Sequence, residues 1–569
     1  MHNLSYSFDC SSLSAWGLAS GRKLLWLALF ALSACQQQAR TPEQVEPPPK
    51  PELRADGAPL LQGIGPTGMS ISTESETAQA YFNQALTLAY GFNHAEAVRS
   101  FREAAKHDPT CGICYWGVAL ALGPNINAPM SEEAVPEAYA AVRQAQELAV
   151  YETERERAYI DAVATRYSET GDDRATLDQL YSGAMQGLVE RYPQDLNART
   201  LYAEALMDLV PWSYWDADGA PGPYTETLVS ALESVMAEDP EHVGALHLYI
   251  HAMEQFTPER AVAAADRLGP LVPVAGHLVH MPSHIYLRVG RYQDAVVANT
   301  KAALADEDYI AQCNAQGFYP AAYHPHNVHF LWYAAMMGGR QELAVATAKR
   351  LLGNVHLEMA KQFGAIQQFL AVPSSTYVRF GLWEQALAEP PPPAGVPLAT
   401  AMWHYSQGVA AAATGDLRAA RSQLRTLQRL ADEDAVSTVV FRPGLPVAET
   451  LLSIGTELVR ARIARQEKDA GAELQALNAA VAAQDSLPYT EPPFWHFPVR
   501  QALGRAYLRH GQPDEAARVF SEDLGKFPRN GWSLAGLMEA APQADNLSVL
   551  QAQFDETWQY ADSAPSNGL

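Results

Sequence analysis

Apolar residues recur at helical spacing through most of the chain, from about residue 75 to residue 545. We find no convincing segment with the alternating pattern of a half-buried β-strand. Two segments interrupt the helical pattern, residues 211–223 and the Pro-rich residues 389–397, and we expect both to be loops. The pattern therefore predicts an all-α fold.

Helix-turn-helix units repeat along the chain with a period of about 34 residues. In such a unit small residues let two helices pack closely, aromatic residues fill the space between them, and a Pro ends the second helix. The clearest unit places these residues at Gly504, Tyr507, Gly511, Ala516, Phe520 and Pro528. It resembles a tetratricopeptide repeat (TPR), and the resemblance implies a solenoid of helical hairpins, a superhelical array.

Weaker copies of this unit occur earlier in the chain, so the repeats cover most of residues 75–545. We expect N-terminal repeats at residues 71–150, central repeats at 151–345, C-terminal repeats at 346–545 and a tail at 546–569. The weaker copies are marked by Ala97, Phe101, Ala104 and Pro109; by Tyr286, Gly290, Ala295 and Ala302; by Gly339 and Ala344; and by Gly408, Gly415 and Ala420.

The N-terminus has the order of residues that a secretory signal requires. Positive charge at Arg22 and Lys23 precedes the apolar residues 24–32, and small residues follow. The ending Leu-Ser-Ala-Cys resembles a bacterial lipobox, which implies that residues 1–34 are removed and that Cys35 is lipidated. A cleaved signal with a chance Cys is the alternative.

The resemblance to a lipoprotein implies a place in the cell envelope. Residue 36 is Gln rather than Asp, which resembles lipoproteins sorted to the outer membrane and facing the periplasm. Residues 35–70 contain too few apolar side chains to fold by themselves, so we expect a disordered tether. The membrane would then be a partner through the lipid anchor only.

Charge and composition exclude some classes of function. The 569 residues carry 40 Lys and Arg against 64 Asp and Glu, a net charge of -24, so we expect no unaided binding of nucleic acid. After residue 35 no apolar stretch approaches the roughly 20 residues of a membrane span. We also find no Gly-rich phosphate loop and no nucleophile elbow.

Histidines are concentrated in one part of the chain. Residues 247–329 contain eight of the 16 histidines, and most of them fall in three stripes at helical spacing. The resemblance to TPR arrays implies that the first helix of each unit lines a concave groove, and counting from the small residues places the second and third stripes at groove-facing positions. The first stripe is one residue out of phase. The stripes are His247, His251 and Glu254; His277, His280 and His284; and His326 with His329.

Imidazoles from three adjacent helices can converge, because neighbouring helices pack roughly 8–10 Å apart. Imidazole is the commonest protein ligand of transition metals. We therefore predict a metal site in the groove made from His247, His251, Glu254, His277, His280, His284, His326 and His329. The alternative is a groove in which the histidines and nearby tyrosines bind a peptide or one another.

These predicted ligands outnumber the four of a closed zinc site. The sequence therefore favours an open mononuclear site or two metal ions. Zinc, copper and iron all accept imidazole, and the residue types do not choose among them. In a metalloenzyme Glu254 would be a metal ligand or the catalytic base. The competing hypotheses are a scaffold that binds a protein or peptide partner, and a protein that captures metal without catalysis.

Three further features attract attention outside the histidine stripes. Cys111 and Cys114 form a CxxC motif that we expect to be a structural disulfide, with a redox pair as the alternative, and Cys313 is left over. Residues 125–127 and 212–215 are polar and aromatic. They could line a pocket, although such residues are more often found in turns.

Several segments together resemble a family of large bacterial TPR proteins with a His-rich central region. The resemblance spans about residues 75–540 and implies the fold and the His motifs without naming a reaction. Where the family pattern has Tyr before the Pro of the fourth segment, this chain has His324. The segments are HDPTCGICYWGVALALGPN, HLYIHAMEQ, GHLVHMPSHIYLRVGRY, YHPHNVHFLWYAA and EPPFWHFPVRQALG.

Overall fold

The computed structural model describes residues 57–170, 173–315, 318–431, 436, 439, 441 and 447–565. All of them belong to one compact unit that spans residues 54–569. The predicted signal peptide and the predicted lipidation site, Cys35, lie outside the described residues.

The described residues form α-helices, three short 3-10 helices and one π-helical turn, and they contain no β-strand. The prediction of an all-α fold is therefore confirmed. The 3-10 helices are Glu132–Ala134, Ala149–Tyr151 and Pro258–Ala261, and the π-helical turn is Tyr319–Tyr323. The α-helices are α1 Glu76–Tyr90, α2 His94–His107, α3 Gly112–Leu122, α4 Val135–Leu148, α5 Glu154–Ala164, α6 Arg174–Arg191, α7 Leu196–Leu209, α8 Thr225–Glu238, α9 Val243–Met253, α10 Val262–Leu271, α11 Gly276–His280, α12 Pro282–Arg288, α13 Tyr292–Cys313, α14 His324–Met337, α15 Gln341–Asn354, α16 Leu357–Gln362, α17 Gly364–Leu370, α18 Val372–Phe380, α19 Trp383–Ala388, α20 Pro397–Ala413, α21 Leu417–Ala431, α22 Val447–Gln466, α23 Ala470–Asp485, α24 Val499–Arg509, α25 Pro513–Lys526, α26 Gly531–Ala540 and α27 Leu547–Thr557.

The helical hairpins turn where the repeat pattern predicts. Gly511 lies between α24 and α25 with φ of 69°, a backbone conformation that favours glycine. Phe520 of α25 packs so closely on Gly504 of α24 that a Cβ there would lie 2.6 Å from its ring. Three earlier turns have the same left-handed conformation, at Gly290, Gly339 and Gly415. Small residues thus set the close packing of the hairpins.

The segment before the first helix is packed rather than free. Leu61 and Met69 are buried, and the backbone N–H of Leu61 donates to Oε1 of Gln84 on α1 at 2.7 Å. The tether expected to extend to residue 70 is therefore wrong for residues 57–70. Their few apolar side chains are enough to bind an extended segment to an existing helical surface.

Two of the expected boundaries differ from the structure. Residue 345 lies inside α15, so the central repeats do not end there. The expected C-terminal tail contains α27, and Trp558 after that helix packs edge to face on Trp532, with ring centres 5.1 Å apart. Burial of these two aromatic rings ties the C-terminus to the array.

The two predicted loops are confirmed, and the first of them leads to the histidines. No helix covers residues 211–223 or 389–396. In the first loop the indole N–H of Trp215 donates to the carbonyl of Ala252 on α9 at 2.7 Å. Among the helices described, none combines the length and the apolar character needed to cross a membrane.

Candidate metal centre

Helix α9 presents the first histidine stripe. The side chain of His242 caps its N-terminus by accepting the backbone N–H of Ala245 at 3.2 Å. Every residue of α9 is buried, so His247 and His251 face other helices instead of solvent. Glu254 caps the C-terminal end and is itself 1% exposed. The predicted stripe therefore lies within the protein interior.

Helices α11 and α12 present the second stripe as one nearly continuous helical segment. Helix α11 ends at His280 and α12 begins at Pro282, where the missing N–H is tolerated in a first turn. His277, His280 and His284 are all buried along this segment. Pro282 is therefore absorbed in a first helical turn, and the stripe continues across it.

Helix α14 contributes only one of its two predicted ligands. His326 lies beside His280 and His284, with ring centres 4.9 and 5.9 Å away. His329 instead stacks on Trp332 at 5.1 Å and packs against Phe369 at 5.2 Å.

The structure therefore does not bring His329 into this cluster, whereas Phe330 packs on His326 with ring centres 4.8 Å apart. Phe330 packs on His280 and His284 with ring centres 4.5 Å away in each case. Its neighbour His329 is turned about 100° around the helix from Phe330. There His329 lines a separate cavity of about 20 Å³ together with His496.

The other seven predicted residues converge, and the structure adds an eighth, Glu491. They form three groups of three, and within each group one potential ligand atom per residue lies within 4.8 Å of the other two. The first group holds imidazoles alone, and His284 belongs to both of the others. The groups are His247, His251 and His277; His280, His284 and His326; and Glu254, His284 and Glu491.

Two histidines are fixed in the tautomer that a metal requires. Nδ1 of His247 lies 2.6 Å from the carbonyl oxygen of Tyr90, and Nδ1 of His280 lies 2.6 Å from Oδ1 of Asn299. Both oxygens accept hydrogen bonds, so Nδ1 carries the hydrogen and the lone pair is on Nε2. Nε2 of His247 has no partner in the described chain, whereas Nε2 of His280 lies 3.0 Å from Nε2 of His284. Such a partner on the outer nitrogen is typical of metal-ligating histidines.

Several buried nitrogens have no hydrogen-bond partner within the described chain. These are Nε2 of His247 and both ring nitrogens of His251 and of His277. A buried polar atom left unpaired costs about 1–3 kcal/mol, so five such atoms in one place call for a ligand or water between them.

His284 lies between two buried carboxylates. Its Nδ1 is 3.0 Å from Oε2 of Glu254 and 3.0 Å from Oε2 of Glu491. None of these three atoms makes a contact with hydrogen-bond geometry in the described chain. One potential ligand atom from each of the three residues lies within 4.8 Å of the other two, a spacing that fits the ligands of a metal ion.

Charges within the cluster divide the histidines into two kinds. Burial would lower the pKa of His284, but the carboxylates of Glu254 and Glu491 raise it to about 10. Burial would raise the pKa of Glu254, yet His284 and His251 lower it to about 2. Without a metal, the imidazolium of His284 therefore offsets the charge of one carboxylate.

The remaining imidazoles of the cluster are neutral at pH 7. Burial, and then the neighbouring histidines, lower the pKa of His247, His277 and His326 well below the ordinary value. Burial also lowers the pKa of His251 and, well below that value, of His280. A neutral imidazole is the form that binds a metal ion.

Glu491 is the ligand candidate that the sequence analysis missed. It lies in an irregular segment between α23 and α24, which Gln484 closes by donating to the carbonyl of Phe497 at 3.0 Å and accepting the N–H of Val499 at 2.8 Å. Arg288 lies 3.8 Å from Glu491 and donates to the carbonyls of Glu254 and Gln255. Its place in the EPPFWHFPVRQALG segment was the one available signal.

The cluster opens into a cavity of about 450 Å³. The polar and aromatic segments 125–127 and 212–215 form turns, and each contributes a residue to the cavity wall. Trp212 packs edge to face on His251 at 5.2 Å, and Asn127 donates to the Tyr323 hydroxyl at 3.4 Å. The lining residues are Asn127, Trp212, His251, Glu254, Gln255, His277, His284, Phe318, Ala322, Tyr323, His326, Ile366, Phe369, Pro488, Tyr489, Thr490 and Glu491.

The three cysteines in the described part of the chain are not among the residues that line this cavity. Cys111 and Cys114 are joined by a disulfide at the start of α3, and Cys111 also caps that helix. Cys313 is a buried free thiol whose pKa burial raises to about 12. The disulfide therefore has a place in the first hairpins rather than in the candidate metal centre.

Chemically, the cluster offers six imidazoles and two carboxylates next to an accessible volume. Imidazole and carboxylate ligands suit zinc, iron and copper. A metal ion that keeps a position open toward such a cavity can polarise a bound molecule or lower the pKa of a water. Glu254 and Glu491 are the groups placed to accept a proton.

Comparison with known proteins gives similarity of fold alone. No protein-family model matches the chain, and no curated protein matches it. Solved structures that resemble it include the APC/C hetero-tetramer Cut9-Hcn1, with 11% identity, coverage of 85% of this chain and 77% of that chain, and a TM-score of 0.30.

Two others are yeast Tom70, with 10% identity, coverage of 84% and 93%, and a TM-score of 0.27, and the TPR domain of P58(IPK), with 10% identity, coverage of 85% and 98%, and a TM-score of 0.21. These likenesses carry no further argument about this chain. The chain is an all-α protein of TPR-like helical hairpins.

Proposed function

We propose that this protein binds transition metal through the buried His and Glu cluster and uses it as a metalloenzyme acting on a small molecule. The observation that carries the proposal is the convergence of eight ligand-type side chains, six of which line one cavity. Five ring nitrogens of His247, His251 and His277 have no hydrogen-bond partner in the described chain. Zinc, copper and iron are the candidate ions.

The cavity favours an enzyme over metal capture. A storage or structural site encloses its ion with protein ligands, whereas a catalytic site keeps a position open. Here the cluster faces about 450 Å³ of space walled by Trp212, Phe318, Phe369 and Tyr489. Pockets of this size and aromatic character suit small organic ligands.

Elemental analysis tests metal binding directly. The mature protein, purified without chelators, is expected to contain at least one equivalent of zinc, copper or iron by mass spectrometry. His251→Ala and His284→Ala are each expected to bind less metal than the wild type and to keep the far-ultraviolet circular dichroism of a helical protein. His404→Ala, outside the cluster, should retain the metal.

A protein that is metal-free and takes up none of the three ions would refute the proposal. The scaffold hypothesis, in which the repeats bind a protein or peptide partner, would then take its place. If metal is bound, hydrolytic and oxidative turnover by the loaded and the chelated protein separates the enzyme from metal capture. Turnover that is absent from both forms would favour capture.

The envelope location is a further part of the proposal and rests on the lipobox-like sequence before Cys35. Expressed in a bacterium and labelled with a fatty-acid analogue, the full chain is expected to carry the label and to sediment with the outer membrane. Cys35→Ser should abolish labelling, while Cys10→Ser should leave it unchanged. Label retained by Cys35→Ser would refute lipidation at that residue.

A further inference from the structure

We infer that the cluster holds two metal ions at once, in two positions of different chemistry. This inference rests on the proposed function. The first position is formed by His247, His251 and His277, and the second by His284, Glu254 and Glu491. These two groups have no residue in common, so each position has three ligand residues of its own.

The two positions are adjacent and joined by one carboxylate. Oε2 of Glu254 lies 3.5 Å from Nδ1 of His251 in the first group and 3.0 Å from Nδ1 of His284 in the second. The rings of His251 and His284 have centres 5.6 Å apart. A carboxylate in this place can bridge two ions at the roughly 3.5–4 Å spacing of two-metal sites.

The ligand types give the two positions different preferences. Three neutral imidazoles carry no charge and suit copper or zinc. The second position adds two carboxylates, which are harder ligands and also suit iron(II) or manganese. His280 and His326 lie on the other side of His284, where Nε2 of His280 is 3.0 Å from Nε2 of His284.

Charge indicates what the loaded centre would bind. Two divalent ions outweigh the carboxylates of Glu254 and Glu491, and the other described residues that line the cavity carry no charged side chain apart from histidine. The loaded centre therefore has net positive charge beside aromatic walls. The ligand that fits is a small molecule with an anionic oxygen group on an apolar body.

Metal titration tests the number of positions. The metal-free mature protein is titrated with zinc, and bound zinc is counted by mass spectrometry after removal of the free ion. Two equivalents are expected for the wild type and for His329→Ala. One equivalent is expected for the double variant His247→Gln with His277→Gln, and one for His284→Gln with Glu491→Gln.

The outcomes separate this inference from the proposed function. One equivalent in the wild type, lost in both double variants, would leave a metal protein with a single ion and overturn the two positions. No zinc, copper or iron in the wild type would overturn both. Should a double variant fail to fold, X-ray absorption on the loaded wild type decides, since two neighbouring ions scatter from each other and a lone ion does not.

Discussion

Chelation of the bound metal is expected to lower the free energy of unfolding by about 4 kcal/mol for each ion, if free metal stands at about 1,000 times its Kd before removal. The reason is that the ligands are assembled only in the folded chain, from helices α9, α11, α12 and α14 and the segment that contains Glu491. Binding free energy at such a site is folding free energy.

Burial of the unpaired nitrogens adds to this effect. In the metal-free protein the ring nitrogens of His251 and His277 are buried away from water, and they have no hydrogen-bond partner in the described chain. Each such group destabilises the fold by about 1–3 kcal/mol unless water enters to satisfy it. The metal-free protein should therefore unfold first around the cluster, where hydrogen exchange of α9 and α11 would report it.

Thermal and denaturant unfolding with and without metal measure the change. The double variant His251→Ala with His284→Ala serves as the control, since it keeps the helical array and removes a ligand from each group. Its stability should not respond to zinc. An equal gain in stability for the wild type and this variant would mean that zinc acts elsewhere on the protein.

The sequence predicted the hairpins well because the information is local. A turn residue such as Gly511 needs φ above zero, and Gly504 needs to lack a Cβ where Phe520 packs. Both requirements are visible in one unit and recur at a fixed period. The packed residues 57–70 escaped prediction because Leu61 and Met69 are too widely spaced to form a pattern of their own.

The candidate site also has a part that local spacing predicts and a part that it does not. The histidine stripes on α9, α11 and α12 follow from helical spacing, and their convergence follows from the packing of successive hairpins. Glu491 lies 207 residues from His284 in a segment without periodicity, so no pattern in the sequence could place the two side by side. His329 is the opposite case. Helical spacing groups it with His326, whereas the structure packs it on Trp332 and Phe369.

Close packing around α11 is what holds the cluster together, and it depends on a glycine. Gly276 begins α11 where the backbone runs against α13, and a Cβ there would lie 2.8 Å from the carbonyl oxygen of Ala302 and closer still to Asp306. Asp306 cannot move aside freely. Its carboxylate accepts the Tyr319 hydroxyl at 2.8 Å and the side-chain amide of Asn327 at 2.7 Å.

Gly276→Ala is therefore expected to destabilise the protein by about 3 kcal/mol, the upper end of the usual cost of overpacking a buried site. It should also reduce metal binding, although residue 276 is not a ligand. The added methyl displaces α11, which contains His277 and His280, and Tyr319, whose hydroxyl accepts the backbone N–H of His277 at 3.1 Å. Denaturant unfolding and bound zinc measure the two effects.

Gly187→Ala is the matched control, because residue 187 is exposed inside α6 with nothing within 4 Å of the position of a Cβ. There alanine should raise the stability by about 0.5–1 kcal/mol through helix propensity, with zinc binding unchanged. Equal zinc binding by Gly276→Ala and the wild type would mean that the cluster tolerates movement of α11. In that case the position of His277 on α11 would not be what holds the metal.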